Sequence, residues 1–78
     1  MSSGSHWPAL QAREVLSMLH KIGYTEVRRK GSHRKLVAAG RLPIGFAYHD
    51  SHDVPPHQLK RMLVDLAGLT PTEIANLL

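Results

Sequence analysis

The fold is decided by the middle of the chain, residues 24–48, which read YTEVRRKGSHRKLVAAGRLPIGFAY. Residues 24–30 carry no helical stripe of apolar side chains, so we predict a first strand there, with Val27 directed inward. Gly31-Ser32 indicates a turn, and residues 33–38 are predicted to form a second strand. The sequence therefore predicts a tight β-hairpin.

A third strand is predicted at residues 42–48, after a hairpin connection at residues 39–41. Bulky apolar residues alternate with small ones along this strand. The bulky residues are Leu42, Ile44, Phe46 and Tyr48, and the small ones are Pro43, Gly45 and Ala47. One face is therefore expected to pack on a core, while the other is almost bare. Because proline cannot donate to a ladder, Pro43 indicates an edge strand.

Helices are predicted before and after this sheet. Apolar residues recur at helical spacing from Leu10 to Ile22, and Gly23 supplies a left-handed stop. A polar loop is expected at residues 49–54, and Pro55-Pro56 then opens a second helix. The apolar face of the second helix is formed by Leu59, Met62, Leu63 and Leu66, and Gly68 ends it.

A short third helix is predicted at the end, because Thr70-Pro71-Thr72-Glu73 combines a capping box with proline at the first helical position. The expected fold class is α+β, in the order helix, three-stranded antiparallel sheet, helix, short helix. A length of 78 residues fits a single domain, which we expect at residues 9–78. Residues 1–8 are expected to be a disordered start or a remnant of cloning.

The composition restricts the classes of protein and partner. Cysteine is absent, which excludes disulfides and thiolate metal sites and fits a reducing cytoplasm. No apolar run approaches the roughly 20 residues that span a bilayer, so no membrane partner is expected. The net charge is +4, and seven of the ten Lys and Arg residues lie between Lys21 and Arg41, with Glu26 as the only acid among them. This concentration favours a polyanion or an acidic protein as partner.

The segment Arg28–Lys35 places one histidine among five cations, directly after a glycine turn. Histidine can donate or accept a proton near neutrality, and Arg and Lys can bind phosphates and stabilise charge on a phosphoryl group. If Leu36 points into the core, strand parity turns His33 and Lys35 outward, over the small residues of the third strand. RNA carries its own 2′-OH nucleophile, so a metal-free site needs little beyond a base, an acid and cationic side chains.

The same segment resembles the core motif of HicA toxins, in which a helix ends in Gly-aromatic and a strand runs into a basic residue followed by Gly-Ser-His. Here these features are Gly23-Tyr24 and Val27–Arg34. Later parts match in the same order, at Tyr48-His49, Val54-Pro55-Pro56 and Ala67–Thr70. The resemblance covers about residues 8–78. The sequence departs from the family pattern at Gln11, Lys35 and Ala47, which stand where Ser or Thr, an apolar residue and proline are usual.

The resemblance implies a fold related to double-stranded-RNA-binding domains. It also implies an endoribonuclease that cleaves messenger RNA, has His33 as its catalytic residue and is neutralised by a HicB antitoxin. The residues expected to contact RNA are Arg28, Lys30, Ser32, Arg34 and Lys35. We expect His33 to act as base on the 2′-OH or as acid on the leaving oxygen, giving a 2′,3′-cyclic phosphate. No metal or other cofactor is expected, and His49 is a candidate for the second proton carrier.

Three other interpretations remain open. His49, His52 and His57, together with Asp50 and Asp53, could form a metal cluster, although their spacing is irregular for one. A non-catalytic RNA-binding module would use the same cations to contact phosphates. The basic face could also serve solely to dock an acidic protein.

Overall fold

The computed structural model describes residues 7–78 and shows an α+β fold, with helices packed on one face of a sheet. In chain order the elements are β1 (Leu10–Gln11), α1 (Ala12–Lys21), β2 (Thr25–Lys30), β3 (His33–Val37), β4 (Ile44–Phe46), β5 (Asp53–Val54), α2 (Pro56–Lys60), a π-helical segment (Arg61–Leu66) and α3 (Pro71–Leu77). The predicted fold class is confirmed. Of the start predicted to be disordered, residues 1–6 lie outside the described residues, whereas Trp7 packs against the core.

The main sheet has the order β2-β3-β4 and is antiparallel throughout, so β4 lies at an edge as Pro43 indicated. Leu36 lies opposite Ile44, and both side chains are fully buried. Together with Phe46 they join the apolar side chains that α1 and α2 bury. Within residues 7–78 the opposite face of the sheet is open to solvent, since His33, Lys35 and Gly45 are exposed there.

Helix α1 buries the stripe that its periodicity predicted. The residues of α1 that are buried are Ala12, Val15, Leu16, Met18 and Leu19. Gly23 follows the helix with a φ of 105°, the left-handed conformation expected of a stop. At the other end, the Glu14 carboxylate accepts a hydrogen bond from the backbone N–H of Gln11 at 3.1 Å. This bond satisfies a donor at the start of the helix although Gln11 stands where Ser or Thr is usual.

The fold contains two short strands that the sequence did not predict: β5 replaces the end of the predicted polar loop at residues 49–54, and β1 directly precedes α1. Leu10 pairs with Val54 and Gln11 with Asp53, which makes a separate two-stranded sheet of β1 and β5. Strands of two residues are too short to show alternation, so the sequence pattern could not reveal them. Two further backbone bonds, from Ala12 N to His52 O (2.8 Å) and from Arg13 N to Asp50 O (3.2 Å), continue the connection. The start of α1 is therefore fastened to the loop that follows β4.

The prediction that Val27 points inward is wrong, because its side chain is 57% exposed. Strand β2 pairs Glu26 with Leu36 and Arg28 with Lys35, so Val27 is the extra residue of a β-bulge. Tyr24 fills the core at this end of the strand instead and is only 1% exposed. The bulge also shifts the side-chain alternation of β2 between its two halves.

Leu42 is likewise not an inward residue of the third strand, and β4 is shorter than the predicted range of residues 42–48. The Leu42 side chain is 56% exposed. Its backbone N–H donates to the carbonyl of Leu66 at 3.0 Å, and its carbonyl accepts from the Tyr24 hydroxyl at 2.7 Å. Because both groups are engaged elsewhere, Leu42 does not extend the ladder.

The second helix begins at Pro56, as predicted, but widens into the π-helical segment after Lys60. Ala67 N donates to Met62 O at 2.8 Å, five residues back, and Gly68 ends the segment with a φ of 72°. The predicted apolar face is buried at Leu59, Met62 and Leu63 and partly buried at Leu66. Helix α3 follows with its capping box.

Candidate functional site

The hairpin between β2 and β3 puts His33 at the first position of β3. Lys30 and His33 are paired residues, so Gly31 and Ser32 form a two-residue turn between them. Gly31 has a φ of 61° and Ser32 does not have a positive φ, the pattern of a type II′ turn. A side chain other than glycine would be strained at position 31. The turn therefore fixes the backbone directly before His33.

Strand pairing gathers four of the predicted site residues on the face of the sheet that is turned away from the helices, which we call the outer face. Residues that lie directly opposite each other share a face, and here Lys30 lies opposite His33 and Arg28 opposite Lys35. All four of these residues are exposed, whereas Leu36, which follows Lys35, is fully buried. The prediction that Leu36 points inward and that His33 and Lys35 point outward is confirmed.

The outer face contains a shallow depression of about 330 Å³, which we call the His33 cleft. Its walls include Arg28, Lys30, His33 and Lys35, and its floor includes Pro43 and Gly45. Gly45 lies directly opposite Lys35 and has no side chain to fill the space. The bare face predicted for the third strand thus forms the bottom of a cleft whose rim is basic.

Arg34 is directed to the opposite face, and its side chain is only 12% exposed. The guanidinium Nη2 donates to the Asp50 carboxylate at 2.9 Å, and Nε lies 3.7 Å from the carboxylate of Glu26. Among the described residues this Nε has no hydrogen-bond partner. Arg34 contributes to the walls of two clefts, the His33 cleft and a second one at the end of the hairpin.

This second depression, of about 430 Å³, is called the hairpin-end cleft. Ser32 lines it, as do Tyr48 and His49 of the loop after β4 and two arginines, Arg13 and Arg29. His49, the candidate second proton carrier, therefore lines a different cleft from His33. The residues predicted to contact RNA are likewise distributed over both clefts, because Ser32 lines only the hairpin-end cleft.

Sequence reasoning did not single out Arg13 or Arg29, which both line the hairpin-end cleft. For Arg29 a signal exists: neighbouring residues of a strand alternate, so parity along β2 could have placed it on the face opposite to Arg28. No local pattern brings Arg13 to the hairpin, since its position depends on the backbone bonds between the start of α1 and residues 50–54.

Arg41, which the sequence groups with the basic cluster, is used inside the fold. Its Nε donates to the carbonyl of Ile22 at 3.2 Å, and its Nη1 donates to the carbonyl of Ala67 at 2.7 Å. Both carbonyls lie at C-terminal ends of helical segments, where a cation is favoured. Burial raises the pKa of the neighbouring Tyr24, and the charge of Arg41 acts on this pKa in the opposite direction.

The histidines and aspartates of the loop after β4 do not converge as a metal cluster. His49 and His52 lie edge to face, with ring centroids 4.9 Å apart. Within residues 7–78, no group of three or more His, Asp or Glu side chains is arranged to hold a metal ion.

Comparison with protein families identifies the chain. The model of the HicA toxin of bacterial toxin-antitoxin systems matches residues 12–69. The chain belongs to the HicA toxin family. The match starts at the first residue of α1 and extends past Gly68, so it includes the hairpin and both clefts. None of the curated proteins matches the chain.

Membership of the HicA family makes this chain the toxin of a toxin-antitoxin system and implies a cognate antitoxin. The Gly-Ser-His segment of this HicA chain lies at residues 31–33, in the turn and at the first position of β3. Across residues 7–78, none of the helices of this HicA chain has the length and apolar character needed to cross a bilayer.

Proposed function

We propose that this HicA-family toxin is an endoribonuclease that cleaves messenger RNA, with His33 as its catalytic residue. One observation carries the proposal: an exposed imidazole stands at the mouth of a hairpin, in a cleft that also exposes Arg28, Lys30 and Lys35. Arg and Lys side chains bind phosphates, and histidine is the side chain suited to proton transfer near neutral pH.

The proposed reaction is an internal transesterification of RNA. The 2′-oxygen forms a bond to the adjacent phosphorus while the bond from phosphorus to the 5′-oxygen of the next nucleotide breaks. A proton leaves the 2′-OH, and the 5′-oxygen gains one. His33 transfers a proton at one of these two oxygens, as base or as acid, and the products are a 2′,3′-cyclic phosphate and a 5′-OH.

The cations of the His33 cleft bind and orient the phosphate. Arg28 and Lys35 lie opposite each other on the strands, and Lys30 lies opposite His33, so positive charge flanks the imidazole along β2 and β3. Charge that develops on the non-bridging phosphate oxygens is stabilised by such donors. The small residues on the floor, Pro43 and Gly45, let an RNA backbone approach the sheet closely.

The antitoxin is proposed to be a HicB-type protein that covers the His33 cleft. An inhibitor that places carboxylates against Arg28, Lys30 and Lys35 would use the charge that otherwise attracts RNA. Because the cleft is shallow and open, covering it requires a second protein surface and not only a small molecule.

The test is RNA cleavage by the full chain and by His33→Ala, with His20→Ala as the matched control, since His20 is an exposed histidine on α1. We expect His33→Ala to lose activity by about 10²–10⁴-fold, the usual contribution of a general acid or base, and His20→Ala to retain it. Both variants should keep the thermal stability of the parent, because each loses an outward side chain.

Product analysis separates this function from its alternatives. Fragments that end in 2′,3′-cyclic phosphate and persist in EDTA support the proposal, and fragments with a 5′-phosphate contradict its chemistry. A non-catalytic RNA-binding module would instead give salt-sensitive binding with intact RNA in every variant.

A further inference from the structure

The hairpin-end cleft is a second basic concavity that the proposed reaction does not use. Three parts of the chain meet in it: Arg13 from α1, Arg29 and Ser32 from the hairpin, and Tyr48 from the loop after β4. We infer that this cleft binds a phosphate of the RNA strand as the strand passes from the His33 cleft around the end of the hairpin. This inference rests on the proposed function, because it takes the strand in the His33 cleft to be RNA.

The charges in the cleft favour an anion. Asp50 is the acidic residue of its lining, and its carboxylate is engaged by the Arg34 guanidinium at 2.9 Å. That ion pair leaves the charges of Arg13 and Arg29 in excess, since the salt bridges of residues 7–78 all involve Arg34. Ser32 adds a hydroxyl on the same wall, which can donate a hydrogen bond to a phosphate oxygen.

Both arginines are positioned by the fold. The Nε of Arg29 donates to the carbonyl of Gly31 at 3.3 Å, which holds the guanidinium against the turn and leaves its two terminal nitrogens available. Arg13 is brought to the cleft because its backbone N–H donates to the carbonyl of Asp50 at 3.2 Å. Because its guanidinium is held in this way, Arg29 loses less conformational entropy when it binds a phosphate in bidentate fashion, whereas for Arg13 the fold fixes the backbone position.

The location favours an RNA strand over a separate ligand. Arg34 contributes to the walls of both clefts, and the turn Gly31-Ser32, which lines the hairpin-end cleft, directly precedes His33 of the other cleft. A single strand that leaves the outer face at His33 meets the second cleft as soon as it crosses this turn. Proteins that bind single-stranded RNA commonly use such basic grooves to follow the backbone over several nucleotides.

The experiment measures RNA binding with His33→Ala as the background, so that the probe is not cut. The probe is a fluorescent single-stranded RNA of about twelve nucleotides, long enough to occupy both clefts. The test variant adds Arg13→Gln and Arg29→Gln. The matched control adds Lys21→Gln and Lys60→Gln, which remove the same charge from exposed positions outside both clefts.

We expect the Arg13→Gln/Arg29→Gln protein to bind about tenfold more weakly than the control, because charge-assisted bonds to one phosphate are lost. The slope of log K against log salt should become shallower by about 0.7, the value for one phosphate of a single strand. If the Arg13→Gln/Arg29→Gln protein has the same affinity and the same salt slope as the control, the inference is wrong. The cleft would then be assigned to an acidic protein partner.

The two proposals fail in different ways. If the unaltered toxin cuts RNA while the double arginine variant binds like the control, the second phosphate site is wrong and the proposed function stands. The opposite result is that the unaltered toxin leaves RNA intact, while the double arginine variant binds RNA more weakly and with a shallower salt dependence than the control. The phosphate site then stands, and the catalytic role of His33 is wrong. Circular dichroism of both variants checks that the fold is kept.

Discussion

Tyr24 shows how one residue supports the sheet beneath the site. Its side chain is 1% exposed, and its hydroxyl donates to the carbonyl of Leu42 at 2.7 Å. Burial raises the pKa of this phenol from its usual value near 10. The folded protein therefore holds the phenolic proton more tightly than the unfolded chain does. The resulting stability is fully present below about pH 10 and is lost as the pH rises through the folded-state pKa.

Replacing Tyr24 with phenylalanine should change both the size and the pH dependence of stability. At neutral pH, Tyr24→Phe should cost about 1 kcal/mol, because the hydrogen bond to Leu42 is lost. Above about pH 10 its stability should fall less steeply than that of the parent, since the buried ionising group is gone. Urea denaturation at several pH values measures both effects. Tyr48→Phe, at a half-buried ring that packs edge-on against Phe46, is the control, and a parent-like alkaline loss in Tyr24→Phe would contradict the assignment.

At the same scale, the side that each strand residue faces was largely predictable. Alternation alone placed His33 and Lys35 outward once Leu36 was taken as core, because the period of a strand is two residues. The same rule implies that Arg34 points inward, but its partners Asp50 and Glu26 come from other parts of the chain. The sequence pattern therefore predicts the orientation of Arg34 and not its ion pairs.

Among the elements, α3 depends on its capping box more than on burial, because none of its residues is fully buried. The Glu73 carboxylate accepts from the Thr70 N–H at 2.9 Å, and the Thr70 hydroxyl accepts from the Glu73 N–H at 3.2 Å. Hydrogen bonding of this carboxylate by Thr70, above all by its backbone N–H, lowers the pKa of Glu73. A lowered pKa means that the stabilisation is present above the unfolded-state value and is lost as the pH falls through the folded-state value.

Amide hydrogen exchange of α3 tests this element. In the parent, protection of the α3 amides should decrease as the pH is lowered from neutrality to below about 4, after correction for intrinsic rates. In Glu73→Gln, protection at neutral pH should be lower and should no longer respond to this pH change. Asp65→Asn, which removes an exposed carboxylate of the π-helical segment, should behave like the parent. A pH response that survives in Glu73→Gln would assign it to another carboxylate.

Element boundaries with local causes were predictable, and those with long-range causes were not. The turn at Gly31-Ser32, the stop at Gly23 and the start of α3 depend on residues adjacent in sequence. The bulge at Val27 and the pairing of β1 with β5 depend on strands that meet only in the folded chain. The sequence signal for these features is therefore weak, although the bulge sets the alternation that brings Arg28 and Lys30 to the outer face.

Across the whole molecule, the basic residues of the middle of the chain serve two different purposes. Some are exposed in the two clefts, whereas Arg41 is half-buried and joins parts of the fold. This arginine comes from the connection between β3 and β4 and binds the carbonyls of Ile22 and Ala67. It thereby links the sheet to the ends of α1 and of the π-helical segment. The free energy of unfolding of a small domain is low, so the hydrogen bonds of one such residue contribute a considerable fraction of it.

Removal of this link should lower the stability of the entire domain. Arg41→Met keeps most of the aliphatic stem but leaves the carbonyls of Ile22 and Ala67 without their charged donor, which should cost about 2 kcal/mol. For a domain of this size, that loss corresponds to a decrease in Tm of about 10 °C. Arg61→Met, at an exposed position of the π-helical segment, should change the stability by less than about 0.5 kcal/mol. Thermal unfolding of the two variants compares an interior with a surface arginine at equal change of charge. Equal Tm values would mean that the bonds of Arg41 contribute no more than its charge does, and that the three elements are held together by apolar packing alone.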